Sequence, residues 1–138
     1  MQMQEQPADM IGSAKQSPTV AIVLNRDLLF GSRIRSALVA VGLEGRFVPD
    51  SEGFVRALEE LQDSAAIGIV DMNGPVAWAV LRATLAEGDD ALPPTLAFGP
   101  HVDAEGRRAA KAAGITRLVS NGQFHSDMPG LIDRYRRR

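Results

Sequence analysis

The sequence contains no cysteine. That excludes a disulfide framework, a thiolate metal site and thiol catalysis, and it fits a reducing compartment. No stretch approaches the roughly 18 apolar residues needed to span a bilayer. The opening residues, Met1-Gln2-Met3-Gln4-Glu5-Gln6-Pro7, lack the cationic flank and apolar stretch of a secretion signal. A cytoplasmic protein without membrane contact is therefore expected. A basic surplus is missing as well: a net charge of -2 gives no general case for nucleic-acid binding through a cationic surface. Neither a Gly-x-Gly-x-x-Gly dinucleotide fingerprint nor a Gly-x-Ser-x-Gly nucleophile elbow occurs, and no internal repeat interrupts the chain.

What is present is the pattern of one folded domain. The chain has 138 residues, 45% of them hydrophobic, enough for a core without covalent staples. Residues 1–18 carry Gln, Ser and Pro with little periodicity and are expected to form a flexible arm ahead of a domain over 19–138. Strands are expected at Thr19–Leu24, Gly45–Val48, Ala66–Met72, Thr95–Phe98 and Thr116–Ser120. Between them run helical faces. Phe30, Ile34, Ala37, Leu38 and Val41 form the first, closed by Gly42. Phe54, Leu58 and Leu61 form the second, after a cap at Asp50 or Ser51. Trp78, Leu81 and Leu85 mark the third; the fourth runs from Asp103 to Ala113, where Gly114 stops it. Met128, Leu131, Ile132 and Tyr135 form the last, capped by Ser126 or Asp127.

This alternation reads as (βα)5. It gives an α/β class, doubly wound five-stranded parallel sheet, with strand order 2-1-3-4-5 and right-handed crossovers. The functional crevice of such a sheet lies where the strand order reverses, between the ends of strands one and three. Here that means Asn25, Arg26 and Asp71.

Three stretches, in order, carry a resemblance. They are Ala66-Ile67-Gly68-Ile69-Val70-Asp71-Met72-Asn73-Gly74-Pro75, then Pro94-Thr95-Leu96-Ala97-Phe98-Gly99-Pro100-His101-Val102-Asp103-Ala104-Glu105, then Ala112-Ala113-Gly114-Ile115. Together with length and topology, they resemble the flavodoxin-like receiver domain of bacterial two-component response regulators over roughly Thr19–Arg136. The resemblance implies that Asp71 stands at the phosphoacceptor position. The acidic pair that holds Mg²⁺ in that family falls on Asn25-Arg26, and the hydroxyl residue ending strand four falls on Gly99. The lysine after strand five falls on Asn121 or Ser120, and the switch aromatic falls on Leu118. Only the aspartate is kept.

The resemblance thus implies a pseudo-receiver. A degenerate pocket of Asn25, Arg26, Asp27, Asn73, Gly99 and Asn121 would surround a vestigial Asp71. The chain would be a non-enzymatic signalling module without metal or other cofactor, acting on protein partners such as a histidine kinase or regulator, or on a second copy. In receivers the surface of the fourth helix, fifth strand and fifth helix is a common docking face, which would carry Arg107, Arg108, Lys111 and Leu118. No output domain is expected after Arg138, so a signal is expected to leave through a surface.

Elementary electrostatics supports the loss of metal. Mg²⁺ demands octahedral oxygen ligation and gives up water reluctantly, so one carboxylate holds it poorly. A guanidinium about 4 Å from a carboxylate attracts it by roughly 4 kcal/mol at an effective dielectric near 20, before desolvation is counted. Arg26 is accordingly expected to pair with Asp71. Asp27 is either a rescued ligand or the cap of the first helix.

Two other functions compete. One is an atypical but active phospho-receiver using Mg²⁺ and Asp71. The other is a small flavodoxin-like binder of flavin or another nucleotide, against which the first loop, Asn25-Arg26-Asp27-Leu28-Leu29, lacks a Ser/Thr/Gly phosphate cradle. A cobalamin-type Asp-x-His-x-x-Gly loop is also absent. His101 and His125 are expected as polar loop residues. Arg134-Tyr135-Arg136-Arg137-Arg138 is expected as a cationic helix end, favourable to the macrodipole.

Overall fold

Apolar runs of four to seven residues become central strands here because helices cover both sides of the sheet. The structure, a computed structural model, describes residues 17–88 and 90–138. Positions 1–16 of the expected arm, and Asp89, lie outside the described residues.

The elements are β1 (Val20–Leu24), α1 (Leu28–Ala40), β2 (Glu44–Val48), α2 (Ser51–Leu61), β3 (Ala65–Asp71), α3 (Trp78–Leu85), β4 (Thr95–Gly99), α4 (Ala104–Ala113), β5 (Arg117–Ser120), α5 (Asn121–Ser126) and α6 (Met128–Tyr135). A single 3₁₀ turn, Gln62–Ser64, joins α2 to β3. All strand pairs are parallel, in the order β2-β1-β3-β4-β5. This is the sheet expected from sequence.

Alternation along β1 divides the core in two. Ala21 and Val23 join Ile67, Ile69, Leu96 and Phe98 under Ile34 and Leu38 of α1, Phe124 of α5 and Ile132 of α6. Ile22 and Leu24 join Val70 and Ala97 on the other face, under Phe54, Leu58, Leu81, Leu85, Ala110 and Ala113 of α2 to α4. Helices α1, α5 and α6 thus lie on one side and α2, α3 and α4 on the other.

Aspartates start most helices. Asp27 accepts from Leu29 and Phe30 amides, Asp50 from Gly53, Asp103 from Gly106 and Asp127 from Gly130. Ser51 does not cap α2; its buried hydroxyl accepts from Ala77 N at 2.8 Å and ties α2 to the start of α3. Ser126 does not cap α6 either, since its hydroxyl donates to the Gln123 carbonyl. Gly114 closes α4 at φ 102°, a backbone region that other residues resist.

The short helix α5 departs from the sequence reading. A reciprocal capping box starts it: Ser120 Oγ accepts from Gln123 N, and Gln123 Oε1 accepts from Ser120 N. Its consequence for the site is large, because it fixes Asn121 and His125.

The terminal arginines also differ from expectation. Two of them clasp the end of the sheet opposite the crevice. Arg136 donates to the Val41 and Pro18 carbonyls. Arg137 donates through Nε to Ala65 O at 2.8 Å, through Nη1 to Ala91 O at 3.2 Å, and through Nη2 to Gln62 O. Carbonyls at strand and helix ends need donors, and a guanidinium fork supplies several at once. Arg137→Ala is therefore expected to cost about 2–3 kcal/mol in urea unfolding, since charged donors are lost and carbonyls are left unpaired. Arg137→Lys should recover only part of this, because one ammonium cannot span three carbonyls. An unchanged midpoint in both variants would refute the clasp.

Candidate functional site: an aspartate held by amides

The chain leaves β1 extended, with Asn25 N donating to Val48 O, and the Asn25 side chain then reaches across to β3. There Asp71 closes the fully buried strand Ala65–Asp71 and is itself only 7% exposed. A buried carboxylate must find donors. Asp71 Oδ2 accepts from Asn25 Nδ2 at 2.8 Å. Its Oδ1 accepts from both Asn73 N and Asn73 Nδ2, each at 2.8 Å.

The amides continue outward. Asn73 Nδ2 also donates to Asn121 Oδ1, and Asn121 Nδ2 returns a bond to Asn73 Oδ1, each at 2.9 Å. An ionised carboxylate only accepts, so each neighbouring amide must turn its nitrogen toward Asp71. Asn25 Oδ1 is consequently directed back over α1. A Cβ on Gly31 would meet it at 2.9 Å, so that residue's lack of a side chain leaves room for the bridge.

A cleft of about 360 Å³ opens beside this network, between Leu24, Asn25, Arg26, Asp27 and Phe30 on one side and Asp71, Asn73, Gly74 and Pro75 on the other. The structure therefore gathers Asn25, Arg26, Asp27, Asp71 and Asn73 around one opening and links Asn121 to them by hydrogen bonds. Gly99 lies beneath: a Cβ there would meet Met72 Cβ at 2.8 Å, so Met72 blocks the space a hydroxyl side chain would need.

One expectation about charge fails, and one alternative is decided. Arg26 is exposed and forms no ion pair with Asp71 among the described residues. In extended chain, successive side chains point to opposite sides; Asn25 takes the inward position, and Arg26 is left outside. Asp27 acts as the cap of α1.

Histidine placement also corrects the sequence reading. His101 is exposed in the turn before α4. His125, expected in a loop, stands on α5 against Phe30 at 4.7 Å between ring centroids, with Phe124 and Phe98 edge-on at 5.8 and 6.1 Å. Both its ring nitrogens are buried without a hydrogen-bond partner. On α4, Arg108 and Lys111 are exposed, Arg107 is half-buried, and Leu118 of β5 packs half-buried against the core.

The donor set does not fit Mg²⁺. Among the described residues, no three acidic or histidine side chains converge. Both Asp71 oxygens already accept N–H groups, and the adjacent amides present hydrogens to it where a cation needs lone pairs.

No family model and no curated protein matches the sequence. Solved structures do. The chemotaxis response regulator CheY4 of Vibrio cholerae matches with a TM-score of 0.68 at 14% identity, over 86% of this chain and 98% of its own. The receiver domain of a sensor histidine kinase from Pseudomonas aeruginosa, described with a magnesium ion coordinated in its active-site cleft, gives 0.69 at 15% identity, over 86% and 97%. A putative pilus assembly-related protein of Burkholderia pseudomallei gives 0.66 at 12% identity, over 91% and 94%. The fold is the receiver fold. Among the described residues, no helix is long and apolar enough to cross a membrane.

The amide network and the free Arg26 make opposite expectations for two neighbouring substitutions. Asp71→Ala strands the Asn25 and Asn73 donors and should cost about 1–3 kcal/mol in urea unfolding. Arg26→Ala should stay within about 0.5 kcal/mol of the parent. A large loss at Arg26 with none at Asp71 would return the site to the ion-pair picture.

Proposed function

We propose that this domain is a non-catalytic regulatory module of receiver fold. It works in the cytoplasm through protein contacts, with its phosphorylation chemistry replaced by a neutral amide network. The observation that supports this reading most strongly is the state of Asp71: both carboxylate oxygens are engaged by Asn25 and Asn73, and Asn73 is locked to Asn121.

Phosphoryl transfer needs an accessible nucleophile and cations to meet charge on the moving phosphoryl group. Here the nucleophile is nearly buried, and amides stand where metal ligands and a lysine would. Among the described residues that line the cleft, Arg26 carries the positive charge. Loss of that chemistry leaves the surface to carry information.

The exposed Arg108 and Lys111 of α4 suit a protein partner with an acidic face, such as a histidine kinase or regulator, or a second copy of the chain. The C-terminal arginines support nucleic-acid binding poorly, because Arg136 and Arg137 spend their donors on backbone carbonyls.

Incubation with a small phosphodonor and Mg²⁺, read by intact-mass spectrometry, should leave the protein unmodified. If phosphate is acquired and Asp71→Asn prevents it, the domain is an active phospho-receiver and this reading fails.

A further inference from the structure

Helix α5 joins two unusual features that lie at its opposite ends. Its first residue, Asn121, closes the amide network through Asn73. Its fifth residue, His125, is wedged among Phe30, Phe98 and Phe124 with both ring nitrogens buried and unpaired. Phe30 is shared, since it stacks on His125 and also lines the Asp71 cleft. His125 is half-buried, but buried ring nitrogens without partners are uncommon, and they are tolerated only while the ring is neutral.

An alternative place for the ring exists next door. A groove of about 440 Å³ between α1 and the α5–α6 junction is lined by Ser32, Arg33, Ser36, His125, Ser126 and Asp127. It offers hydroxyls and the Asp127 carboxylate to a charged imidazole, against the Arg33 guanidinium on the same wall. The geometry points to α5 as a proton-operated latch: His125 holds the Asp71 network closed while neutral, and on protonation swings toward the groove, drawing Phe30 and Asn121 out of register.

The surroundings set the direction. Burial lowers the His125 pKa below its usual 6.5, Arg33 of α1 lowers it further, and Asp71 of β3 opposes them. Packed β4 contributes Phe98, which carries no charge, and Asp127 at the start of α6 is bonded through Oδ1 to Gly130 N. With the folded pKa below 6.5, the native state binds fewer protons than the unfolded chain. The stability from neutral His125 is present above the unfolded value and is lost as pH falls from there through the lowered folded value. The latch is independent of whether Asp71 takes phosphate.

The test is an NMR pH titration of the intact chain, following the His125 ring together with the Asn25, Asn73 and Asn121 side-chain amides. The ring should titrate below 6.5, the amides should shift with the same midpoint, and His125→Phe should abolish their response. A ring midpoint at or above 6.5, or an amide response persisting in His125→Phe, overturns the latch. Should that variant fail to fold, Asn121→Ala decides. The ring should still titrate while the Asn73 amide stops following it; continued tracking by Asn73 overturns the coupling.

Discussion

The Asp71 carboxylate and the amides that satisfy it are the constraint on which the functional end of this molecule rests. β3 delivers a carboxylate to a nearly buried position at the end of the sheet, and such a group must be neutralised or given donors. A cation could have served, as metal or as arginine. Asn25 and Asn73 serve instead, with three N–H groups on two oxygens. Amides are donors and acceptors together, so Asn73 can hold Asp71 on one side and exchange two bonds with Asn121 on the other. The network joins the end of β1, the β3–α3 loop and the start of α5 without any added ion.

Sterics reinforce the electrostatics. The missing side chain at Gly31 makes room for the back of the Asn25 amide, and Met72 fills the space above Gly99. The amide site is therefore built from strands and helices together. Opposite the crevice, the arginine clasp binds α6 to the starts of β1 and β3 and the nearby turns. One end of the sheet is committed to stability, the other to a cleft whose carboxylate is held by amide dipoles.

The sheet order was legible because the central strands are short apolar runs and the long helices show a 3.6-residue face, and crossovers leave few topologies. The crevice position followed from topology alone, and Asp71 with it. The partner of Asp71 did not follow. Charge attraction favours Arg26, but the pleat decides which of two adjacent residues faces inward, and Asn25 took that place. Asn121 was placed in the pocket by the resemblance, but the helix that orients it was missed, although Ser120-Asn121-Gly122-Gln123 has the capping-box spacing that signals it. Arg136 and Arg137 were read as part of a cationic helix end because sequence does not reveal which carbonyls at a sheet end lack donors.

On the proposed reading, Asp71 is saturated by amides and offers nothing to a divalent cation. A magnesium titration through the millimolar range, followed by the Asn25, Asn73 and Asn121 side-chain amide signals, measures this directly. Only the small, non-saturating drift of changing ionic strength is expected. A saturable shift at Asn25 and Asn73, abolished by Asp71→Asn, would show that the network opens to admit the ion and would contradict that reading.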